Sequence, residues 1–219
     1  QLRMPRFLYV GSGTPAQSTV HDSPAYGSLS PPTACKCIKI YESLDEGILR
    51  RVGAVDLDTH IGWLTPHPHN GKIYGVGSGK LRAFHVDSDG MLREFSAADT
   101  LGNAVYLELS TDGRWALVAN YSAATLAVLP IHADGTVGAA TDSKHHAIST
   151  NPALADRQEA CHPHQIMLDP NGGRWALVCD LGADKVFVYA FDSGRGSLVG
   201  AMNSNRHLVF PEGAGPRHL

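Results

Sequence analysis

Hydrophobic residues recur along this chain in short runs, each closed by Gly, Asp, Asn or Pro. Residues 164–189 contain three such runs, HQIML, RWALVC and KVFVY, separated by the sequences DPNGG and DLGAD. Proline presets φ, and Asn and Gly accept positive φ, so both separators favour tight turns. Short apolar runs with a period of two, bounded by such turns, are typical of β-strands. The pattern predicts an antiparallel meander with strands at 164–168, 174–179 and 185–189.

This three-strand pattern is repeated along the chain. The pentapeptide RWALV occurs at 114–118 and again at 174–178, and residues 104–129 match residues 164–189 at a constant spacing of 60. An earlier copy lies at 61–84, and the N-terminal RFLYVGSG matches its middle strand, KIYGVGSG. A repeat of about 40–45 residues with several short strands is typical of a β-propeller blade. Chance similarity between strands does not readily give an identical pentamer in register with matching turns.

We therefore predict an all-β fold, a β-propeller of four-stranded antiparallel blades that forms a single partial domain over residues 1–219. The approximate repeats are 7–57, 62–98, 104–149 and 164–210. Asp89-Gly90 and Asp134-Gly135 are the expected hairpin turns after the third strands. The first repeat lacks an inner strand, and the C-terminal GPRHL begins a fifth one. Propellers have about four to eight blades, so we expect the chain to be the N-terminal part of a longer, incomplete ring.

Composition and charge restrict the partners and the location. Hydrophobic residues make up 43% and charged residues 18%, and the net charge of −3 offers no basic surface for nucleic acid or an anionic membrane. No apolar run approaches the roughly 18 residues that span a bilayer, and the N-terminal QLRMP lacks the apolar region of a signal peptide. Cys35 and Cys37 share one strand face, and Cys161 and Cys179 are isolated, which favours reduced thiols in a cytoplasmic protein. No zinc-site spacing is present, and we expect neither a metal nor a cofactor.

Ionisable groups gather at one predicted end of the propeller channel. In a four-stranded meander, the start of the first strand and the end of the second strand lie on the same rim. The segments 14–34 and 141–160 are predicted to be long and irregular and to open onto this rim as well. A small-molecule pocket is therefore expected here. The polar residues that the strand pattern places on this rim are Asn120, His162, His164, Asp180, Arg217 and His218.

The segment HPHQIMLDPNGGRWALVCDLGADKVFVYAFD, together with GAGPRHL and the N-terminal FLYVGSGT, resembles the seven-bladed β-propeller lactonase family. This family includes the propeller-type 6-phosphogluconolactonases and the carboxy-cis,cis-muconate cyclases. The resemblance covers nearly the whole chain. It implies that His164 and Arg217 are catalytic, because a His and an Arg at these strand starts line the proposed site of the cyclases. A Glu and a second Arg of that site would lie beyond Leu219.

The resemblance implies a carboxylic ester hydrolase that opens a sugar-acid lactone, with 6-phosphogluconolactone and its product 6-phosphogluconate as the first candidates. His164 would serve as a general base for water or would polarise the lactone carbonyl. Arg217 would hold the anionic end of the substrate. His162, His218 and Asp180 are further candidates for substrate binding. Two alternatives stay open, a lactone-forming carboxymuconate cyclase and a non-catalytic propeller scaffold.

Each candidate also has a purely structural interpretation. His164 would then be a rim histidine bonded to backbone, Arg217 an ion-pair partner between blades, and His162 a loop residue. Asp180 and Asn120 occupy equivalent repeat positions, which favours a turn-forming role for both. A second His-Pro-His at residues 67–69 is predicted in a turn on the opposite rim, and it argues against interpreting His-x-His as a metal-binding pair.

Overall fold

Strands account for almost all regular structure in the computed structural model. The described part of the chain contains a short α-helix, α1 (Ala155–Gln158). The predicted segment 14–34 and part of the predicted segment 141–160 lie outside the described residues. The structure describes residues 6–12, 36–44, 47–147, 155–200 and 207–219.

The strands form four antiparallel sheets, which we call blades one to four. Blade one contains β1 (Arg6–Ser12), β2 (Cys37–Ser43) and β3 (Leu49–Asp56). Blade two contains β4 (Trp63–Pro66), β5 (Ile73–Gly77), β6 (Lys80–Val86) and β7 (Leu92–Asp99). Blade three contains β8 (Ala104–Leu109), β9 (Trp115–Asn120), β10 (Thr125–Pro130) and β11 (Asp142–His145). Blade four contains β12 (Pro163–Leu168), β13 (Trp175–Asp180), β14 (Lys185–Asp192), β15 (Ser197–Val199) and β16 (His207–Val209).

Apart from β16, the strands of every blade pair in chain order as a meander, so the prediction of an all-β fold built from four-stranded antiparallel blades is confirmed. In blade one, β1 pairs with β2 as a second strand would, and the described residues include no inner strand for it. The outer edge of blade four was not predicted. There, β14 pairs with β15 through residues 190–192 and with β16 through residues 185–187, so two short strands share the place of one.

The hydrophobic core lies between the blades. One cluster joins blades one and two around Ile38 and Phe84, a second joins blades two and three around Tyr74 and Leu107, and a third joins blades three and four. Strands buried on both faces carry near-continuous apolar runs, which explains why the RWALV repeat does not alternate. The blades therefore stabilise one another by burying apolar surface.

Glycines in the outer hairpins let neighbouring blades approach closely. A Cβ atom at Gly90 would lie 2.6 Å from the ring of Phe7, and one at Gly196 would lie 2.1 Å from the ring of Trp115. Both glycines also have positive φ, 84° and 63°, which favours Gly over other residues. These two glycines therefore allow a tight hairpin and also leave room for a side chain from the preceding blade.

The cysteines correct one sequence prediction. Cys37 is disulfide-bonded, so the prediction of reduced thiols is wrong for this residue. Cys161 and Cys179 are buried thiols. Among the described residues, no helix has the length and apolar character required to cross a membrane.

Candidate active site

The structure brings His164 and Arg217 together at the start of the inner strand of blade four. His164 is the second residue of β12, and Arg217 lies in the C-terminal segment that follows β16. The guanidinium Nε and Nη2 atoms of Arg217 lie 3.2 and 2.9 Å from Nε2 of His164. Since a guanidinium only donates hydrogen bonds, Nε2 of His164 is the acceptor and carries no proton.

The protonation of His164 follows from this contact. Burial, the positive charge of Arg217 and the neighbouring His218 and Arg157 lower the pKa of His164 to about 4. The ring is therefore neutral at physiological pH, with its proton on Nδ1, which is buried and has no hydrogen-bond partner among the described residues. A neutral imidazole with a lone pair directed at a cation can accept a proton once that cation moves aside.

Aromatic rings from blades two and three complete the wall beside this pair. The ring of His218 lies 5.1 Å from that of His164, 6.3 Å from Trp63 and 6.1 Å from Tyr106. Trp63 and Tyr106 themselves lie 4.3 Å apart. Sequence reasoning missed both aromatic residues, although each lies near the start of an inner strand, as His164 does. The site thus combines a base, a cation and flat apolar surfaces from three blades.

His162 lies behind the rim. Its side chain is 4% exposed, and its ring stacks on Tyr121 at 4.1 Å with an interplanar angle of 5°. Its Nδ1 lies 3.1 Å from the carbonyl oxygen of Tyr121, and its Nε2 lies 2.9 Å from the carboxylate of Glu159. Both ring nitrogens are thus engaged by protein groups. Within the described residues, no three His, Cys, Asp or Glu side chains cluster as a metal site would require.

Asp180 is fully buried and hydrogen-bonded on both carboxylate oxygens. Its Oδ1 accepts the backbone N–H groups of His162 at 2.7 Å and Ala183 at 3.1 Å. Its Oδ2 lies 2.6 Å from Nδ1 of His146, whose Nε2 lies 2.9 Å from the hydroxyl of Tyr189. Burial, with Asp180 nearby, raises the pKa of Tyr189, so its hydroxyl stays protonated. The result is a buried hydrogen-bonded chain that joins blade three to blade four.

Sequence reasoning missed His146, which follows the last strand of blade three. It lies within the segment 141–160, which was predicted to be irregular; this prediction is wrong for residues 142–145, which form β11. The only available signal was a histidine in a segment predicted to open onto the rim. Its hydrogen-bond partners are distant in sequence and could not be inferred.

Asn120 occupies in blade three the repeat position that Asp180 occupies in blade four. Its amide donates to the carbonyl oxygen of Thr100 at 2.7 Å and to the hydroxyl of Thr125 at 3.0 Å. The side chain is fully buried. Asn120 thus bonds to the segment ahead of the inner strand of blade three, as Asp180 bonds to His162 ahead of β12.

The segment that carries Arg217 is held by Asp184. The carboxylate of Asp184 accepts the backbone N–H groups of Gly213 at 2.8 Å and Gly215 at 2.7 Å, and the side-chain amide of Gln158 at 2.8 Å. Partial burial raises the pKa of Asp184, but these donors outweigh that effect and the pKa lies below its ordinary value. Asp184 is therefore an ionised anchor for residues 213–215.

The second His-Pro-His sequence lies in the turn that follows β4, at the opposite end of the inner strand from the site. Nε2 of His67 lies 2.9 Å from the carbonyl oxygen of Gly113, and its Nδ1 accepts the backbone N–H groups of His69 and Asn70, both at 3.1 Å. This histidine connects blade two to blade three and is remote from the site.

Comparison with known proteins identifies relatives of the chain. The family model described as "Lactonase, 7-bladed beta-propeller" matches residues 32–219. A protein from Pectobacterium atrosepticum named 6-phosphogluconolactonase is 32% identical over 64% of this chain and 37% of its own length. A protein of the same name from Pectobacterium carotovorum is 29% identical over 83% of this chain and 50% of its own length. The solved structure of a periplasmic gluconolactonase from Pseudomonas aeruginosa has a TM-score of 0.72 at 27% identity, covering 97% of this chain and 58% of the other.

The chain spans about a third to a half of the length of the curated relatives it matches.

Proposed function

Because the chain belongs to the seven-bladed β-propeller lactonase family, we propose that the whole protein hydrolyses a sugar-acid lactone. Relatives are named 6-phosphogluconolactonase and gluconolactonase, so the substrate we propose is 6-phosphogluconolactone and the product 6-phosphogluconate. The blades described above would then form part of one propeller domain. The observation that carries the proposal is the contact between His164 and Arg217 at the start of the inner strand of blade four.

In the proposed mechanism, substrate binding breaks the contact between Arg217 and His164. In the free protein, Arg217 occupies the lone pair of His164 Nε2. An anionic substrate group would draw the guanidinium onto itself, since guanidinium binds phosphate and carboxylate through paired N–H groups. The lone pair would then be free for a water molecule. Neutralising the nearby cation would also raise the pKa of His164, which makes the imidazole a stronger base.

Hydrolysis would then proceed through ordinary acyl chemistry. Water attacks the lactone carbonyl carbon as His164 Nε2 takes its proton, and a tetrahedral oxyanion forms. When this intermediate collapses, the bond to the ring oxygen breaks, and the imidazolium returns the proton to that oxygen. Arg217 holds the anionic end of the substrate. Trp63, which is partly exposed and packs on the buried ring of Tyr106, would provide a flat apolar surface for the sugar ring.

The other predicted site residues take different roles in this proposal. His218 is exposed and adjoins His164, so we keep it as a substrate contact. His162 and Asp180 are 4% and 0% exposed, with protein groups at their polar atoms. We therefore assign both to support of the site, in place of the substrate binding expected from sequence.

The test is an assay of the full-length protein. It should hydrolyse 6-phosphogluconolactone faster than the spontaneous background, and His164→Ala should reduce kcat by about 10²- to 10⁴-fold, the usual contribution of a general base. Arg217→Ala should raise KM. Undiminished activity in His164→Ala would remove the catalytic assignment. Turnover of carboxymuconate alone would favour the cyclase, and turnover of neither substrate would favour the scaffold.

The cytoplasmic location stays a prediction. One relative with a solved structure is periplasmic, and Cys37 is disulfide-bonded. Fractionation of cells that express the full-length protein would decide between the two compartments.

A further inference from the structure

The turn between β13 and β14, residues 180–184, contacts both chain segments that carry the proposed catalytic pair. We propose that this turn is the positioning element of the site: Asp180 fixes the backbone ahead of His164, and Asp184 fixes the backbone ahead of Arg217. One rigid turn then sets the distance between imidazole and guanidinium. The kinetic consequence of this inference rests on the proposed lactonase function, whereas its structural consequence does not.

The first arm of the turn holds the segment of His164. Oδ1 of Asp180 accepts the N–H of His162 at 2.7 Å, and the N–H of Leu181 donates to the carbonyl oxygen of His162 at 3.0 Å. The turn thus bonds both backbone polar groups of His162, two residues before His164. The Asp180 carboxylate is itself fixed by His146 at 2.6 Å, so it cannot rotate away.

The second arm holds the segment of Arg217. The carboxylate of Asp184 accepts the N–H groups of Gly213 and Gly215. The backbone carbonyl oxygen of Asp184 accepts the N–H of Phe210 at 2.9 Å. Arg217 follows Gly215 by two residues. Charge-assisted bonds of this kind are stronger than bonds between neutral groups, so the anchor is well suited to hold an exposed segment in one place.

Gln158 and the backbone of Ala160 also contact the turn. The side-chain amide of Gln158, which is 4% exposed, donates to the carbonyl oxygen of Leu181 at 2.7 Å and to Asp184 at 2.8 Å. A Cβ atom at Gly182 would lie 1.7 Å from the carbonyl oxygen of Ala160. The backbone around residue 160 therefore packs directly against the turn.

Blade three contains the same turn without the two carboxylates. Ala124 stands where Asp184 stands in blade four, and the φ angles are 51° and 52°. Asn120 replaces Asp180 and bonds to Thr100 and Thr125. The backbone of the turn therefore forms with alanine at its last position, so the Asp184 carboxylate is required for anchoring and not for the turn itself. Asp184→Ala therefore tests the anchoring role of the carboxylate while the backbone turn is expected to remain.

The first measurement is an NMR titration of the His164 ring in the full-length protein, with its signal assigned by its loss in His164→Ala. The charged and titratable neighbours of this ring are Arg217, His218 and Arg157. Asp184→Ala should release Arg217 and shift the pKa of His164 upward from about 4. The matched control is Asp134→Ala, which removes a carboxylate bonded to Thr136 in an exposed hairpin and should leave the titration unchanged.

The second measurement compares lactones with and without an anionic group. Asp184→Ala should reduce the preference in kcat/KM for 6-phosphogluconolactone over neutral gluconolactone by about tenfold or more, because a displaced Arg217 no longer holds the anion. Asp184→Asn keeps one acceptor oxygen and should restore part of both effects. It also serves as the test variant if Asp184→Ala does not fold.

A folded variant that leaves both the His164 titration and the substrate preference unchanged would overturn the inference. A shifted titration in a protein without lactonase activity would remove the proposed function and leave the positioning role intact.

Discussion

At the scale of single residues, burial and the guanidinium of Arg217 lower the pKa of His164 to about 4. The base must be unprotonated to accept a proton, so activity is lost as the pH falls through this pKa. The acid limb of kcat/KM, which reports the free enzyme, should therefore lie well below the ordinary histidine value of about 6.5. In Arg217→Ala the limb should move upward. A wild-type limb at the ordinary value would contradict this role for His164.

The buried chain from Asp180 through His146 to Tyr189 gives a second prediction at this scale. His146→Ala should destabilise the protein by roughly 1–3 kcal/mol, because it leaves Oδ2 of a fully buried carboxylate without a hydrogen-bond donor. The control is His145→Ala, since the neighbouring His145 is exposed. Urea denaturation of both variants measures the difference, and equal midpoints would show that the chain contributes nothing to stability.

Single-residue contacts mark the limit of sequence reasoning. The strand pattern predicts His164 at the start of an inner strand, and it is the second residue of β12. Arg217 was predicted at the start of a fifth inner strand, but residues 214–219 have no regular secondary structure. The burial of Asp180 does not follow from the strand pattern, since its partner His146 is 34 residues away in sequence and belongs to the neighbouring blade. Trp63 and Tyr106 also escaped prediction, because an aromatic residue in a strand is compatible with either core or site.

At the scale of elements, the turn of residues 180–184 depends on one glycine. Gly182→Ala would bring a Cβ atom into collision with the carbonyl oxygen of Ala160. Because backbone must move to relieve this contact, we expect a loss of more than about 3 kcal/mol, or failure to fold.

A suitable control for this variant is Gly71→Ala. Gly71 has φ of 68° and open space around its Cβ position, so its substitution should cost only about 1–2 kcal/mol of left-handed strain. Equal unfolding midpoints for the two variants would contradict the close approach at Gly182.

Elements were the best-predicted level of this structure. Apolar runs between Asp, Asn, Gly and Pro gave the meander of blade four, with β12 at Pro163–Leu168 and β13 at Trp175–Asp180. The hairpins at Gly90 and Gly135 also follow the prediction. The shared outer edge of blade four was not predicted. Strands β15 and β16 have three residues each, and such short strands show no recognisable alternation of apolar and polar residues.

At the scale of the whole molecule, stability depends on packing between blades. Trp115 packs on Gly196, donates from Nε1 to the carbonyl oxygen of Ser193 at 2.8 Å, and joins the core between blades three and four. Trp115→Ala should therefore cost about 3 kcal/mol, the lower end for such truncations, because the ring is only partly buried. Val199→Ala, at a side chain that is 57% exposed, should cost little. Similar denaturation midpoints would indicate that the blades are stable separately.

Repetition made the architecture predictable from one chain, since the identical RWALV segments mark the second strands of blades three and four and set the spacing of the repeat. The sequence does not reveal how the copies differ in their surroundings, and the site depends on those differences.

The matching φ angles of Ala124 and Asp184 have an evolutionary consequence. After a module is duplicated, each copy inherits a backbone shape that tolerates several side chains. Mutation can then give one copy a new function while the other copies keep the original residues. The backbone conformation of the turn does not have to change at any step. A symmetric ancestor could in this way acquire a single functional face through a few point changes at positions whose conformation already existed.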